Sequence, residues 1–148
     1  MFKKFKRNKS RPSTLARQLI TVSHPKSVVS EQFKTIRTNI NFSMPDKDLK
    51  TIVLTSSTPG EGKSTNSSNI AVVYAQSGKK VLLVDSDMRK PTTHHTFGLS
   101  NVNGLSNLLI RQNTIEEVTH NTEIEGLYVI TSGPIPPNPA ELIASNTM

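Results

Sequence analysis

The stretch best suited to chemistry is residues 56–65, Ser-Ser-Thr-Pro-Gly-Glu-Gly-Lys-Ser-Thr. The apolar run before it, residues 51–55, predicts a short buried strand, and residues 66–76 after it predict a helix. Glycine lets backbone N–H groups approach a phosphate, and a helix N-terminus adds unpaired N–H groups and a partial positive charge. The pattern predicts a P-loop, in which Lys63 reaches the β- and γ-phosphates of a nucleotide and Ser64 ligates Mg²⁺.

One position departs from the common P-loop pattern G-x-x-x-x-G-K-[ST], because Ser57 stands where the first glycine would be. The alternative is an ordinary strand–turn–helix with a chance lysine. The strand context and an acidic site further along the chain favour the P-loop.

That acidic site is formed by Asp85 and Asp87, which follow a second apolar run, residues 81–84. The run does not alternate, so it predicts a strand that is covered on both faces and lies parallel to the first. Carboxylates at the carboxyl end of such a strand face the crevice where α/β proteins bind ligands, and they suit Mg²⁺ or proton transfer. Two solvated acids in a loop are the alternative. Arg89 either neutralises phosphate charge or pairs with a nearby acid.

Upstream of the loop, Ser30 predicts the N-cap of a helix that runs to about Phe42. One face of this helix carries an apolar stripe, formed by Phe33, Ile36 and Ile40. Another face carries a charged row, formed by Glu31, Lys34 and Arg37. Taken alone, the charged row is typical of a solvated helix face with weak ion pairs.

Downstream, two short helices are predicted at residues 104–110 and 114–120, and a third strand at residues 127–131. A proline-rich loop follows. It leads to Asn138, which together with Pro139 predicts the start of a last helix. This loop either borders the nucleotide or serves as a rigid connector.

The histidines and tyrosines carry less chemistry. Adjacent residues on a regular element point apart, and no cysteine or carboxylate stands at ligand spacing, so His94 and His95 are predicted to lie at the surface or partly packed rather than on a metal. The tyrosines, Tyr74 and Tyr128, are predicted to be packing residues.

Charge is unevenly distributed over the 148 residues. Seven of the eighteen basic residues and none of the eleven acids lie in residues 1–17, so the remaining eleven basic residues balance the acids and the net charge of +7 belongs to this arm. We expect residues 1–23 to be a flexible arm, either solvated or attracted to anionic lipid or a membrane partner. Nucleic acid is not expected, because the arm lacks interleaved aromatic residues beyond Phe2 and Phe5.

Four segments together resemble the bacterial tyrosine kinases of capsule and exopolysaccharide systems, in the stand-alone cytoplasmic form of Gram-positive bacteria. They are residues 30–37, 55–64, 84–91 and 132–139, in the same order along the chain. The resemblance implies an α/β fold, a P-loop NTPase-like parallel sheet flanked by helices. It also implies an autophosphorylating, ATP- and Mg²⁺-dependent protein-tyrosine kinase that regulates polysaccharide synthesis or export.

The resemblance also implies a role for each matching position. The nucleotide-binding Walker A residues are Pro59, Gly60, Glu61, Gly62, Lys63, Ser64 and Thr65. Among the catalytic residues, Lys63 contacts the phosphates, Asp85 receives the tyrosine hydroxyl proton and Asp87 is a metal-side acid beside Ser64. Glu31, Lys34 and Arg37 stand where the family has Glu-x-x-Arg-x-x-Arg, a helix used for self-assembly. Lys34 keeps the charge of the middle arginine but lacks its bidentate fork.

Two family features have no counterpart in the sequence, a Walker B strand and a C-terminal tyrosine cluster. We therefore expect residues 24–148 to be the N-terminal part of a kinase domain, incomplete at its C-terminal side. By resemblance, its partners are a membrane-bound modulator, whose cytoplasmic tail completes the nucleotide site, further copies of the chain, and protein tyrosines. The expected location is the cytoplasm, at the inner face of the plasma membrane.

Two other functions stay open. One is a switch ATPase similar to the MinD and ParA proteins, which carry a signature lysine where this chain has Thr58. The other is a catalytically inactive kinase fragment that at most binds a partner.

Overall fold

The computed structural model describes residues 19–44 and 49–148. The helices and strands of these residues are α1 (Ile20–Ser23), α2 (Val28–Ser43), α3 (Lys63–Gln76), β1 (Val81–Val84), α4 (Thr93–Phe97), α5 (Leu105–Leu109), α6 (Ile115–Val118), β2 (Thr119–Asn121), β3 (Leu127–Ile130) and α7 (Pro139–Ile143). Within the described parts of the chain, no helix is both long and apolar enough to cross a membrane.

The predicted α/β class is confirmed, with a three-stranded sheet in the order β1-β3-β2. β1 and β3 are parallel, with Val81 opposite Leu127, as expected for strands joined through helices. β2 is antiparallel to β3, so the sheet is mixed rather than purely parallel. The helix predicted at residues 114–120 is shorter than expected, because α6 stops at Val118 and the chain continues as β2.

The strand predicted at residues 51–55 is not formed. Its sequence favours a strand, but a strand also needs a ladder partner, and no described strand pairs with this segment. Instead, Leu54 packs against Phe33, Ile70 and Val73, while Val53 is largely exposed. The predicted strand–helix–strand unit is therefore wrong in its first strand, and the parallel pair forms between β1 and β3.

The helices α2 and α3, on either side of residues 49–62, begin slightly earlier than predicted. The N-cap of α2 is Ser27, whose hydroxyl oxygen accepts the Ser30 N–H, rather than Ser30 itself. α3 begins at Lys63 instead of Asn66 because Gly62 adopts a left-handed conformation (φ 82°) and its carbonyl accepts the Asn66 N–H. At the other end, Gly78 (φ 85°) closes the helix as predicted.

The sheet separates two apolar clusters, because alternate residues of β3 point to opposite faces. On one face, Leu127 and Val129 pack with residues of α3. On the other, Ile130 packs with Met88 and with Leu105 and Leu109 of α5. Full burial of side chains of this size stabilises the fold by about 1.5–3 kcal/mol each.

The expectation that β1 is covered on both faces is wrong. Leu82 and Val84 are 45% and 37% exposed, whereas Val81 and Leu83 are half-buried and pack against the α3 side. Helices cover only one face of β1 in the described residues, so its unalternating sequence exposes apolar side chains on the other.

The segment after β3 is held closely against the loop before α5. The Asn101 amide accepts the Gly133 N–H at 2.9 Å and donates to the Gly133 carbonyl at 3.0 Å. Here the two backbones approach so closely that a Cβ on Gly104 would lie 2.3 Å from the Gly133 nitrogen and the Thr131 oxygen. Glycine at position 104 therefore permits the contact that fixes the start of the proline-rich loop.

The final helix begins where the sequence predicted, with Asn138 at the N-cap and Pro139 in the first turn. The Asn138 side chain donates to the Glu141 carboxylate at 2.8 Å rather than capping a backbone N–H. Residues 1–18 lie outside the described residues, and residues 20–23 form α1. The flexible arm predicted at 1–23 is wrong at its end, because Leu19 and Thr21 are buried, so the domain predicted at 24–148 begins by Leu19. For residues 1–18 the arm stays a prediction.

We predict that Gly104→Ala lowers the free energy of unfolding by about 1–3 kcal/mol or more, because the added methyl group overlaps backbone atoms. Urea denaturation monitored by circular dichroism measures the change. The neighbouring Asn103 is exposed, so Asn103→Ala is the control and should stay within about 0.5 kcal/mol of the wild type. Equal stability of the two variants would contradict the close packing at Gly104.

Candidate nucleotide-binding site

The loop before α3 has the backbone conformation that a P-loop needs. Gly60 and Gly62 have φ angles of 83° and 82°, which favour glycine over residues with a Cβ. The Ser56 hydroxyl donates to the Thr58 carbonyl at 2.9 Å, and the Thr58 N–H points to the Glu61 carboxylate at 3.4 Å. The loop is therefore folded on itself through its own polar groups.

Glu61 is the charged partner within the loop. Its pKa is lowered, first by a hydrogen bond from the Thr58 side chain and then by the Thr58 backbone N–H. The carboxylate is exposed, so an anionic ligand that approaches these N–H groups can displace it without opening the core.

The first turn of α3 leaves its donors available to an anion. The N-cap Gly62 has no side chain to accept the free N–H groups of the helix. Lys63 and Ser64 are half-buried, and Thr65 is exposed. The Ser67 hydroxyl donates to the carbonyls of Lys63 and Ser64, so it does not occupy these N–H groups. A 14-residue helix with this N-terminus attracts phosphate.

The fold brings the two acidic residues to the same end of the molecule. α3 packs on β1 and connects to it through the tight turn at Ser77–Lys80, so the helix and the strand run in opposite directions. The N-terminus of α3 therefore points toward the carboxyl end of β1, where Asp85 and Asp87 follow. The predicted association of Lys63 with these carboxylates agrees with this topology.

Asp85 is buried, with 6% of its surface exposed, and is held by backbone donors. One carboxylate oxygen accepts the Asp87 N–H at 3.1 Å, and the other accepts the Thr93 N–H at 3.2 Å. Its own N–H donates to Ile130 at 2.9 Å, which extends the pairing of β1 with β3. The carboxylate thus has a fixed orientation, and each oxygen keeps a second lone pair for a ligand.

Asp87 is half-buried and folds the next turn, because one of its oxygens accepts the N–H groups of Arg89 and Lys90 at 3.3 and 3.1 Å. Among residues 19–44 and 49–148, no three His, Cys, Asp or Glu side chains group closely enough to hold a metal by themselves. Mg²⁺ is usually held by one or two carboxylates together with phosphate and water oxygens. Asp87 and Ser64 supply oxygen donors of this kind.

Arg89 is exposed beside the same turn. In the parts of the chain that the structure describes, the ion pair found is Lys34–Glu31, so Arg89 is not paired with a described acid. Of the two roles considered from the sequence, the pairing with a nearby acid is not formed among the described residues.

The histidine pair differs from the expectation that neighbouring rings point apart. The ring centroids of His94 and His95, both in the short helix α4, lie 3.9 Å apart at an interplanar angle of 40°. Burial lowers the pKa of His94, positive charge on His95 lowers it further, and Asp85 opposes the shift. The expected partly packed position is confirmed for His94, which is half-buried.

The residues of the charged row of α2 make two different kinds of contact. Lys34 donates to Glu31 at 2.7 Å on the surface, which is a pair of small energetic value. Arg37 instead donates to the backbone carbonyl of Val73 near the C-terminus of α3, where a cation is favourable. Self-assembly through this row stays a prediction, and Arg37 has a contact within the chain that the sequence pattern did not indicate.

Two asparagines were missed by the sequence analysis. Asn101 holds the proline-rich loop, and Asn69 is buried in α3, where its amide bonds Thr21 of α1 and Thr65 in the first turn of its own helix. The available signal for Asn69 was its place directly before the apolar stretch 70–73. A polar residue beside such a stretch is expected to be buried, and buried amides need partners.

Comparison with known proteins identifies the family. The AAA domain family matches residues 49–135, which include the loop and both aspartates. The chain is 51% identical over 140 residues to tyrosine-protein kinase YwqD of Bacillus subtilis (strain 168), covering 95% of this chain and 59% of the relative. It is 52% identical over 122 residues to the putative tyrosine-protein kinase CapB of Staphylococcus aureus, covering 82% of this chain and 54% of the relative.

A solved structure is similar over most of the described fold. The chimerical protein CapA2B2 has a TM-score of 0.84 at 54% identity, covering 88% of this chain and 57% of the other. The chain thus spans between half and three-fifths of the length of these three proteins.

We predict a pH dependence from His94. Because its folded pKa lies below the ordinary value of 6.5, the unfolded state binds the proton first. Stability should therefore fall as the pH drops from about 6.5 through the lowered folded pKa. His94→Asn should flatten this part of the curve, whereas the exposed His24→Asn should not. Thermal melts between pH 7.5 and 5 measure the effect, and parallel curves for wild type and His94→Asn would contradict it.

Proposed function

Since the chain belongs to the AAA domain family and, within it, to the bacterial tyrosine kinases, we propose that it binds ATP with Mg²⁺ and transfers the γ-phosphoryl group to protein tyrosines. One observation carries the proposal: α3 begins at Lys63 behind two left-handed glycines, and its N-terminus points to the end of β1 where the buried Asp85 lies. We assign residues 19–148 to the N-terminal part of the kinase domain, because Leu19 and Thr21 are buried in it, and residues 1–18 to the arm.

Phosphate binding follows from the loop. Residues 59–65 present backbone N–H groups and the start of α3 to the α- and β-phosphates, and Lys63 adds a positive charge at the β- and γ-phosphates. Ser64 and Asp87 would hold Mg²⁺, which would supply charge neutralisation for the phosphates. Arg89 adds further positive charge beside the acidic turn.

Phosphoryl transfer then requires positioning and one proton acceptor. The tyrosine oxygen bonds to the γ-phosphorus, the bond to the β–γ bridging oxygen breaks, and ADP leaves. Asp85 accepts the tyrosine proton, because its two backbone hydrogen bonds fix its direction and leave lone pairs free. Its burial keeps the carboxylate from turning toward bulk water.

The proposal extends to the biology of the relatives. We place the chain at the inner face of the plasma membrane, where a membrane-bound modulator completes the nucleotide site through its cytoplasmic tail. The regulated process is capsular or extracellular polysaccharide synthesis, the substrates are protein tyrosines, and further copies of the chain associate through Glu31, Lys34 and Arg37. The identity to CapB and the likeness to CapA2B2 support this assignment.

A MinD- or ParA-like switch ATPase is less well supported. Such proteins use a lysine early in the loop, and Thr58 at that position lacks a charge to offer a partner subunit's phosphate. An inactive fragment would differ from both in showing no phosphoryl transfer even with a modulator tail present.

We predict that the full chain binds Mg²⁺-ATP saturably and that Lys63→Met weakens this binding at least about tenfold, because the loop loses its only side-chain cation. Isothermal titration calorimetry measures both affinities. Lys79→Met, at the exposed start of β1, is the matched control and should bind as the wild type does. Equal binding by Lys63→Met and the control would remove the P-loop assignment.

Asp85→Asn should separate binding from chemistry. The amide retains one acceptor oxygen but takes up no proton, so ATP binding should persist while tyrosine phosphorylation falls by about 10²–10⁴-fold. Transfer of ³²P to a tyrosine peptide, with a modulator tail peptide added, provides the measurement. Undiminished transfer by Asp85→Asn would assign the proton acceptor elsewhere.

The basic arm provides a separate prediction. Each basic residue near an anionic membrane contributes up to about 1 kcal/mol, and this attraction is screened by salt. Deletion of residues 2–17 should therefore weaken sedimentation with phosphatidylglycerol vesicles at low salt and have little effect with neutral vesicles. Unchanged sedimentation would exclude a membrane role for the arm.

A further inference from the structure

Asn69 is 1% exposed in the middle of α3, and its buried side chain makes three hydrogen bonds. Its amide oxygen accepts both the Thr21 N–H at 3.1 Å and the Thr21 hydroxyl at 2.7 Å. Its amide nitrogen donates to the Thr65 carbonyl at 2.9 Å. One side chain thus joins α1 to the first turn of α3.

On the α1 side, the attachment is buried and made by several groups. Thr21 is 1% exposed, and its carbonyl also accepts a hydrogen bond from Gln76 at 3.2 Å. Leu19, immediately before α1, is fully buried against α3 and β3. The buried Ser30 hydroxyl lies 3.1 and 2.7 Å from the carbonyls of Ile20 and His24. α1 is therefore fixed to both α2 and α3.

On the other side, the contact reaches the phosphate-binding turn. Thr65 follows Lys63 and Ser64, and it is one of the residues assigned to the nucleotide. The Thr65 carbonyl accepts the backbone N–H of Asn69 within the helix and, in addition, the side-chain amide of Asn69. This second hydrogen bond restrains the peptide that presents the phosphate-binding groups. The position of α1 and the position of this turn consequently depend on the same buried amide.

We propose that Asn69 is a positioning residue that couples the docking of α1 to nucleotide binding. This inference rests on the proposed function, because it requires a nucleotide on the loop. When α1 is undocked, the buried amide oxygen loses both donors, and an unsatisfied buried polar group destabilises the local structure. The docked form of α1 is then the form that binds phosphate well, and by linkage the nucleotide stabilises α1 docking by the same factor.

The coupling has a consequence for the N-terminal arm. Residues 1–18 of the arm directly precede Leu19 and α1 in the chain, so a partner that binds them acts on the segment that Asn69 connects to Thr65. Occupancy of the arm and occupancy of the nucleotide loop thereby influence each other through contacts in the protein interior.

Hydrogen exchange of the full chain tests the coupling in one direction. Saturating Mg²⁺-ADP is the probe, because it occupies the loop without phosphoryl transfer. The Thr21 amide should exchange more slowly with the nucleotide than without it, since its N–H is buried only while α1 is docked on Asn69. The Ala144 amide, bonded within α7 to Ala140, is the remote control and should not change.

A variant tests the other direction. Thr21→Val keeps the shape of the side chain and removes only the hydroxyl donor, so we expect a Kd for Mg²⁺-ADP about two- to tenfold higher, the usual range for one buried hydrogen bond. Thr38→Val is the control, because Thr38 is exposed and its hydroxyl bonds only the Lys34 carbonyl within α2. Asn69→Ala should have a larger effect, but Thr21→Val decides the question if Asn69→Ala does not fold.

The outcomes separate this inference from the proposed function. If the wild type does not bind Mg²⁺-ADP, both are overturned. If it binds, but Thr21 exchange and the Kd of Thr21→Val are unchanged, only the coupling is overturned. A change in one measurement without the other also overturns it, because linkage acts equally in both directions.

Discussion

The structure depends on the burial of helix α3. Its residues 68–73 are buried in an unbroken run, so it is covered on most of its circumference rather than along one stripe. The sheet contacts it on one side and α1 and α2 on the other. Because the same helix begins at the phosphate loop, the packing that stabilises the fold also fixes the direction of the loop's donors. Because protein interiors are closely packed, a shift of this buried helix would cost free energy.

Polar contacts at both ends of α3 complete this arrangement. Arg37 donates to the Val73 carbonyl near the C-terminus, where the helix has unsatisfied acceptors. Toward the N-terminus, Asn69 joins Thr21 to Thr65. The helix is thus held by directional bonds in addition to apolar contact. Directional bonds specify an orientation, whereas apolar burial alone specifies mainly that the helix is covered.

The acidic end of β1 is organised by backbone donors rather than by ion pairs. Asp85 and Asp87 accept four N–H groups between them, all from the turn that follows or from the start of α4. Such contacts orient the carboxylates and satisfy part of their hydrogen-bonding capacity without introducing a neutralising cation. In the proposed function, the positive charge for a nucleotide comes from Lys63 and Arg89 or from a bound metal.

Much of this could be predicted from the sequence, because its signals are local. The P-loop helix, its C-terminal glycine, β1, β3 and the start of α7 depend on residues within a few positions of each other, through glycine conformation, capping and apolar runs. The same is true of the acidic pair, whose place at the carboxyl end of a strand follows from adjacency. The candidate residues of the site were therefore identified before the fold was known.

Other features depend on partners distant in the chain. Residues 51–55 have the composition of a strand, yet without a described ladder partner they remain unpaired, and residues 119–121 become a strand because β3 offers one. Likewise, the sequence placed Arg37 on a charged face and gave no role to Asn69 or Asn101. The sequence by itself determined the local conformations and the chemistry of the loop. Only the tertiary structure decided which segments pair and which buried amides connect them, because hydrogen bonds between distant segments leave no periodic pattern in the chain.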